Sequence, residues 1–593
     1  MSILDMKFFS FIGFKKKPKS PWQKFYNKKD TIIDVPDVSI YQFIKNRSSK
    51  HLGKTAMEYY GTKITYSEMF KQIDKCARAF RSQGIRKGDV VTILSANVPE
   101  AIISFYALNK IGAVANMIHP LSAENEIKEA LIRYSTVMLV AMDICYSKIK
   151  NIIDDTEVYK TIIISAKDSM TPLYKVGYEV TQGRKVEKPR KSESYLYWKE
   201  FIKHGETYTK EKYDEEIEKD TPAVILHSGG TTGIPKGIVL SNGNFNAAAI
   251  QAKTVLPDLS PDDIILGIMP IFHGFGLSVS INDVLSVGAK VVLIPTFKAG
   301  EFDKLLKKYH PSLLVGVPTL FEALTTNERV ANMDLSYLKY VISGGDTLNK
   351  NRVKKINKFL HEHGANTNMM QGYGMTESVA AVSLDLKYAS REGTIGIPWP
   401  GNYIQIVKPG TDEEVPYGED GEICICGPTV MLGYYNNEKE TNEALHIHSD
   451  GNVWLHSGDI GSMDEDGFIT YKQRLKRMIV SSGYNVYPAQ IEEVLERHPG
   501  VLDSSVIGIP HPYKVEVAKA YIVLKPGFKE AKVQKELEEL CVKNLAKYSL
   551  PKEYEFRKSL PKTIVGKVDF RKLQQEMSLD SEKTEHNPLM TKN

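Results

Sequence analysis

Cysteine is scarce. The 593 residues hold five, Cys76, Cys145, Cys424, Cys426 and Cys541, an odd handful that excludes a disulfide framework and suits a reducing compartment. Long apolar runs are missing too. No stretch approaches the ~18 uninterrupted apolar residues of a spanning helix, which excludes a polytopic membrane protein. Neither sign of charge dominates, with 77 basic against 72 acidic residues. The excess lies in residues 1–30, whose eight lysines and two aspartates make a local +6 and leave −1 for the other 563 residues. The body therefore lacks the basic face of a nucleic-acid binder. There is no Gly-x-Ser-x-Gly elbow, no His-Glu-x-x-His and no repeat of fixed period. Cys424 and Cys426 share one face of a strand-like run but have no companion pair at metal-ligand spacing, so they are expected to be buried small hydrophobes. His361, His363, His446 and His448, paired at i, i+2, are expected at the surface.

What is present is ordinary globular composition, 42% hydrophobic and 25% charged, over a length that suits several domains. Met6 to Phe14 is apolar and aromatic, and Lys15, Lys16, Lys17 and Lys19 follow. A secretory signal has the opposite order and a small-residue cleavage site. Two readings stay open for this arm: a solvated basic segment, which is favoured, and a segment lying on an anionic membrane surface.

Further on, Met69, Ile73, Cys76, Ala77 and Phe80 recur at helical spacing, which predicts a helix over 65–84. Val90–Leu94, Val291–Pro295, Ser312–Val317 and Tyr340–Ser343 read as short buried strands. This alternation predicts an α/β fold, a large N-terminal domain of parallel or mixed sheets flanked by helices. Residues 166–220 are polar and are expected to form a surface excursion. After about residue 472 a small α+β domain begins, with a helix from Pro488, strands near 506–509 and 518–524, and an amphipathic helix over 533–545.

The strongest local signal is Ser228-Gly-Gly-Thr-Thr-Gly-Ile-Pro-Lys236-Gly237, after the strand-like Ala223–Leu226. Gly229, Gly230, Thr231, Thr232 and Gly233 supply flexibility, backbone N–H groups and hydroxyls, and Lys236 an ammonium. That composition suits a phosphate cradle, although the Walker ending is absent. Four more segments follow at large separations: Gln371-Gly-Tyr-Gly-Met-Thr-Glu377, Trp454-Leu-His-Ser-Gly-Asp459, Arg474-Leu-Lys-Arg477 running on to Gly483, and Pro561-Lys-Thr-Ile-Val-Gly-Lys567. In this order they resemble the adenylate-forming superfamily of acyl- and aryl-CoA synthetases, nonribosomal adenylation domains and beetle luciferases. Within it the chain looks like the medium- or long-chain fatty acid–CoA ligases.

The resemblance implies an organisation: an arm over 1–30, a large AMP-binding domain over 31–472, a hinge over 473–477, a small mobile domain over 478–575 and a polar tail over 576–593. It implies ATP, Mg²⁺ and coenzyme A as cofactors, with a carboxylic acid, expected to be a fatty acid, as substrate. By the match, Ser228 to Lys236 hold the β- and γ-phosphates, Tyr373 lies against the adenine, Thr376 donates to the α-phosphate and Glu377 helps hold Mg²⁺. Asp459 and Arg474 bind the ribose hydroxyls, and Gly344, Gly345 and Asp346 line the adenine and acyl sites, with Gly372 beside the acyl group. Lys567 neutralises charge in adenylation, Lys476 is the hinge, and Gly483 approaches the pantetheine.

Met269-Pro-Ile-Phe-His-Gly-Phe-Gly-Leu277 resembles the fatty acyl version of its segment. Amino-acid-activating relatives carry an aspartate where this chain has His273. Gly274, Gly276 and Leu277 are expected to leave room for a chain, with Leu277 where some fatty acid enzymes have a gating tryptophan. An aryl or bile-type acid, and loading of a carrier protein, are the alternatives. The expected location is the cytoplasm, with the inner membrane surface as the station if the arm binds lipid. Monomer and homodimer both stay open.

Overall fold

The computed structural model describes residues 3–6, 8–11, 13–189, 194–208, 215–228, 236–346, 348, 350–481, 484–511, 515–562 and 568–585. They form two compact units. The first comprises residues 1–404, 424–456 and 466–468, and the second residues 405–423, 457–465 and 469–593.

The first unit contains two large sheets. One has eight strands, in the order Gly433–Tyr434, Lys236–Ser241, Pro222–Ser228, Val114–Ile118, Val90–Leu94, Thr136–Met142, Lys160–Ile164 and Tyr195–Tyr197. Its strands run parallel from Pro222–Ser228 to the far edge, and Lys236–Ser241 pairs antiparallel with its neighbour on each side. The second sheet has nine strands, with Met369–Tyr373, Tyr340–Ser343, Leu313–Gly316, Ile264–Gly267 and Lys290–Leu293 parallel at its centre. Near-continuous Val, Ile and Leu in these strands is what parallel strands covered on both faces require. Two helices, Pro99–Lys110 and Asn242–Val255, bury almost every side chain, which is the signature of an interior helix. The expected α/β architecture of parallel and mixed sheets with flanking helices is the one observed.

The helix read over 65–84 spans Tyr66–Ser82. Thr65 accepts from the Glu68 N–H at 3.2 Å, and the Glu68 carboxylate accepts from the Thr65 N–H at 2.8 Å, a reciprocal cap. The segment 166–220 lies largely at the surface, as read, but it carries regular structure. It includes helices Pro172–Thr181 and Trp198–Thr207 and the edge strand Tyr195–Tyr197. Trp198–Thr207 packs on Tyr66–Ser82, with the Phe80 and Phe201 rings 4.9 Å apart and a Cβ on Gly205 reaching within 2.0 Å of the Lys75 carbonyl. Trp198–Thr207 buries only Phe201 and Gly205, and Pro172–Thr181 buries no side chain.

The arm departs from its reading as a solvated segment. Ile3 is buried in a cluster with Val90, Val114, Tyr134, Ile225 and Leu432, against which Met6 and Phe8 also pack. Trp22 is 2% exposed, 6.0 Å from the Tyr403 ring. Among the described residues of the arm, the lysines are exposed while Ile3, Trp22 and Tyr26 are buried.

In the second unit, strands Tyr484–Val486, Ile479–Ser481, Val515–Leu524 and Val501–His511 form a sheet, and Glu553–Arg557 adds to Val515–Leu524. Alternation along Val515–Leu524 serves two cores. Ala518, Ala520 and Ile522 face helices Pro488–Leu495 and Glu530–Asn544, while Val517, Tyr521 and Val523 pack with Leu560 and Leu573. Pro488 takes the first helical position, where its missing N–H costs nothing.

Candidate active site

Strands Pro222–Ser228 and Lys236–Ser241 pair antiparallel, with Ser228 opposite Lys236, so the glycine-rich segment joins two adjacent strands. Gly229, Gly230, Thr231, Thr232 and Gly233 lie outside the described residues, and Ser228 is described by its backbone only. His227 is half-buried and its Nε2–H donates to Asn116 Oδ1 at 2.7 Å, while its ring meets Tyr134 edge to face at 5.0 Å. Burial first, and then the positive charge of Arg133, push the His227 pKa down to about 4, so the ring is neutral at physiological pH. A Cβ on Gly237 would fall 2.3 Å from the Tyr134 ring, which requires glycine there.

Lys236 Nζ pairs with Glu440 Oε2 at 2.5 Å and stands 4.7 Å from the centroid of the Tyr434 ring. Strand Gly433–Tyr434 lies beside Lys236–Ser241, and the Tyr434 hydroxyl donates to Glu377 Oε1 at 3.0 Å. One tyrosine thus connects the lysine of the first motif with the acid of the second. Glu377 is further placed by its own carbonyl, which accepts the Met431 N–H at 2.8 Å. Neither Tyr434 nor Glu440 was singled out from the sequence. Their role depends on sheet pairing, and no local pattern marks them.

Tyr373 ends strand Met369–Tyr373, and Thr376–Ser378 form the next turn, all of them buried. Val379 follows at φ +68°, an uncommon conformation for a β-branched residue that costs on the order of 1–3 kcal/mol. The Val379 carbonyl is what Gly274 accommodates: a Cβ there would lie 1.8 Å from that oxygen. A Cβ on Gly276 would lie 2.0 Å from the Pro270 carbonyl. The expectation that these two glycines leave room for an acyl chain is therefore corrected. Backbone carbonyls already fill the space their missing side chains vacate. Leu277 is fully buried in the π-helical turn segment Phe275–Asn282. His273 Nδ1 accepts the Phe275 N–H at 3.2 Å, which leaves the ring proton on Nε2.

Gly344 lies against the segment 269–277. Its Cβ position lies 3.4 Å from Phe275 Cζ and 3.5 Å from the Gly372 carbonyl, which brings Phe275, Gly344 and Gly372 together. Gly345, at φ +80°, and Asp346 are exposed just beyond strand Tyr340–Ser343.

In the second unit Asp459 and Arg474 are cross-strand partners, Arg474 Nε to Asp459 Oδ1 at 3.1 Å. Asp459 is 1% exposed and Arg474 47%, so a buried carboxylate is presented beside an accessible guanidinium. Arg474 Nη1 also donates to the Ser457 carbonyl at 3.2 Å, and the Asp459 N–H donates to Ser457 Oγ at 3.1 Å. Lys476 sits in the tight turn Leu475–Arg477. The next residue, Arg477, is anchored to Glu492 Oε1 at 2.5 Å and lies over the Phe570 ring. Gly483 and Lys567 lie outside the described residues.

The AMP-binding enzyme family matches residues 44–435, and the AMP-binding enzyme C-terminal domain matches residues 490–567. The chain is 32% identical over 564 residues to a long-chain-fatty-acid–CoA ligase of Bacillus subtilis, covering 94% of this chain and 98% of that one. Its fold is similar to that of an anthranilate–CoA ligase solved with anthranoyl-AMP, with a TM-score of 0.80 and 22% identity over 93% of this chain and 99% of that one. It is similar also to that of a fatty acyl CoA synthetase of Mycobacterium tuberculosis, with a TM-score of 0.68 and 24% identity over 91% and 99%. The chain belongs to the AMP-binding enzyme family and is an acid–thiol ligase of its AMP-forming, fatty acid–CoA ligase branch.

Proposed function

We propose that the protein activates a medium- or long-chain fatty acid as its acyl-AMP and then passes the acyl group to coenzyme A. In the first step a carboxylate oxygen attacks the α-phosphorus of ATP, the bond to the bridging oxygen breaks and pyrophosphate leaves. In the second, the thiol sulfur of coenzyme A attacks the acyl carbonyl, AMP leaves and the thiol proton passes to solvent. The observation that carries this reading is the end-to-end similarity to long-chain-fatty-acid–CoA ligases.

Charge builds on the α-phosphoryl and bridging oxygens in adenylation, so fixed donors and ammonium groups aimed there are what catalysis requires. Ser228 to Lys236 hold the β- and γ-phosphates, Thr376 donates to the α-phosphate, Tyr373 covers the adenine, Asp459 and Arg474 take the ribose hydroxyls, and Gly344, Gly345 and Asp346 border the nucleotide and the acid. Lys567 supplies the ammonium for the acid's attack. Lys476 is the point about which the small domain turns between half-reactions, and Gly483 admits the pantetheine. The Glu377 carboxylate, oriented by Tyr434, is the hard oxygen donor Mg²⁺ takes, and the bound ion would neutralise phosphate charge. His273 places no carboxylate beside the acid's tail, which favours an uncharged organic chain.

The test is the purified full chain with ATP, Mg²⁺ and coenzyme A against fatty, aromatic and steroidal acids, scored by AMP and thioester. The expected result is AMP and thioester in equal amounts from medium- and long-chain acids, with acyl-AMP accumulating when coenzyme A is omitted. No pyrophosphate from any fatty acid overturns the reading. A preference for aromatic or steroidal acids assigns an aryl or bile-type ligase instead.

A further inference from the structure

The strand Gly421–Cys426 lies next to strand Val453–Met463, which forms a hairpin with Leu445–Ile447. The hairpin register sets His446 opposite Trp454, so His446, Trp454 and His456 share one face by the period of two along a strand, and His448 follows just past the end of Leu445–Ile447. Cys424 Sγ, one ring nitrogen of His448 and one of His456 all lie within 4.8 Å of one another. His448 Nε2 and His456 Nε2 are 2.9 Å apart. Cys424 is fully buried and His448 is 5% exposed, which departs from the expectation that His448 sits at the surface. Cys424 is buried as its sequence suggested, but two imidazoles come to it from residues 24 and 32 positions further along the chain.

These side chains are held in place by their surroundings. The His448 ring stacks on Trp454, with centroids 5.3 Å apart and planes 19° from parallel. The Trp454 indole N–H is directed at the Asp450 carboxylate, 3.2 and 3.3 Å from its oxygens, and Asn452 Nδ2 donates to the same carboxylate at 2.7 Å. The turn is closed by the Gly451 N–H donating to the His448 carbonyl at 2.8 Å. The arm braces it from outside, the Lys15 N–H donating to Asn452 Oδ1 at 2.9 Å and Asn452 Nδ2 also donating to the Lys16 carbonyl at 2.7 Å. Such outer contacts fix ring orientation in metal sites.

We propose that Cys424, His448 and His456 form a transition-metal site, with zinc as its ion. A thiolate with two imidazoles is a borderline-soft donor set. It suits Zn²⁺ and is a poor match for Mg²⁺ or Ca²⁺, which take oxygen. Zn–S near ~2.3 Å and Zn–N near ~2.0 Å in a tetrahedron separate the donors by roughly 3.3–3.7 Å, a span that the present cluster meets with small side-chain shifts. Zinc takes a fourth donor. The His446 ring, 4.2 Å from that of His456 on the same face, or a water supplies it. Binding exchanges the thiol proton of Cys424 for the metal and releases that proton to solvent. The ion would clamp strand Gly421–Cys426 to the hairpin, a structural role separate from the magnesium of catalysis.

The test uses the full chain, stripped with a chelator and then titrated with Zn²⁺ alone and with Co²⁺ alone. One zinc per chain should survive gel filtration and raise the thermal midpoint. The cobalt form should show a thiolate-to-cobalt charge-transfer band and the intense visible bands of tetrahedral geometry. Cys424→Ser should abolish the charge-transfer band, and His448→Gln should weaken zinc binding by more than about 100-fold, beyond the loss typical of outer contacts. The double substitution His361→Gln, His363→Gln should leave binding unchanged. If one ligand variant fails to fold, the other carries the same comparison, and the cobalt spectrum of the unaltered chain stands alone. Absence of stoichiometric zinc, a cobalt spectrum without the thiolate band, or unchanged binding in a folded ligand variant overturns the proposal.

Discussion

Tyr434 holds two charged groups with one side chain. Its hydroxyl donates to Glu377, and its ring face carries the Lys236 ammonium, which is itself paired with Glu440. A hydrogen bond to a charged acceptor contributes about 1.5–3 kcal/mol. Tyr434→Phe keeps the ring and removes the hydroxyl, so adenylation should fall by roughly 10–100-fold and stability by about 1.5–3 kcal/mol. Pyrophosphate release with a fatty acid measures it, and an unchanged rate would mean that Glu377 does not depend on this contact. His227 gives a prediction in pH. In the folded chain its ring stays neutral down to about pH 4, against an ordinary value of 6.5. Between those values the unfolded chain binds the extra proton, so this residue's contribution, fully present above pH 6.5, is lost as the pH falls towards 4. His227→Gln should flatten that acid limb in urea unfolding followed across pH. A limb of the same slope would assign the loss to other groups.

At the scale of elements, backbone touches backbone where the segment 269–277 meets the turn after Tyr373. Gly274 lies under the Val379 carbonyl, and a Cβ on Gly374 would sit 1.6 Å from the Ala380 carbonyl. Gly274→Ala should destabilise the protein by about 1–3 kcal/mol, the usual cost of overpacking, and should lower adenylation as well by displacing the Thr376–Ser378 turn. Thermal unfolding and pyrophosphate release together check it. Stability that falls while the rate holds would separate this contact from the site. Elements with strong periodicity were legible in the sequence. The strand Val90–Leu94 spans the residues read for it, and the helix Tyr66–Ser82 lies within its predicted limits. The three-residue edge strand Tyr195–Tyr197 was not legible, because so short a run offers no alternation to detect. The glycines of the segment 269–277 were misread: whether a glycine opens space or admits a carbonyl depends on what packs against it.

Across the molecule, the arm shows how far a local reading reaches. Aromatic residues followed by lysines fit a lipid surface as well as a protein surface, and the sequence contains nothing that chooses. In the structure Trp22 packs on Tyr403 and against the backbone at Gly467, where a Cβ would come within 2.9 Å of the indole. Trp22→Ala should therefore cost about 3–5 kcal/mol, read as a lower denaturant midpoint. A midpoint unmoved by the substitution would return the arm to solvent or lipid.

The amino-acid sequence by itself determined the α/β class, the order of the five motifs and the family, because periodicity and motif chemistry are written in neighbouring residues. Only the tertiary structure decided that Tyr434 would bridge Lys236 and Glu377, and that Cys424 would meet His448 and His456. Those residues stand on different strands, and sheet order and register, with the packing that fixes them, bring distant strands side by side.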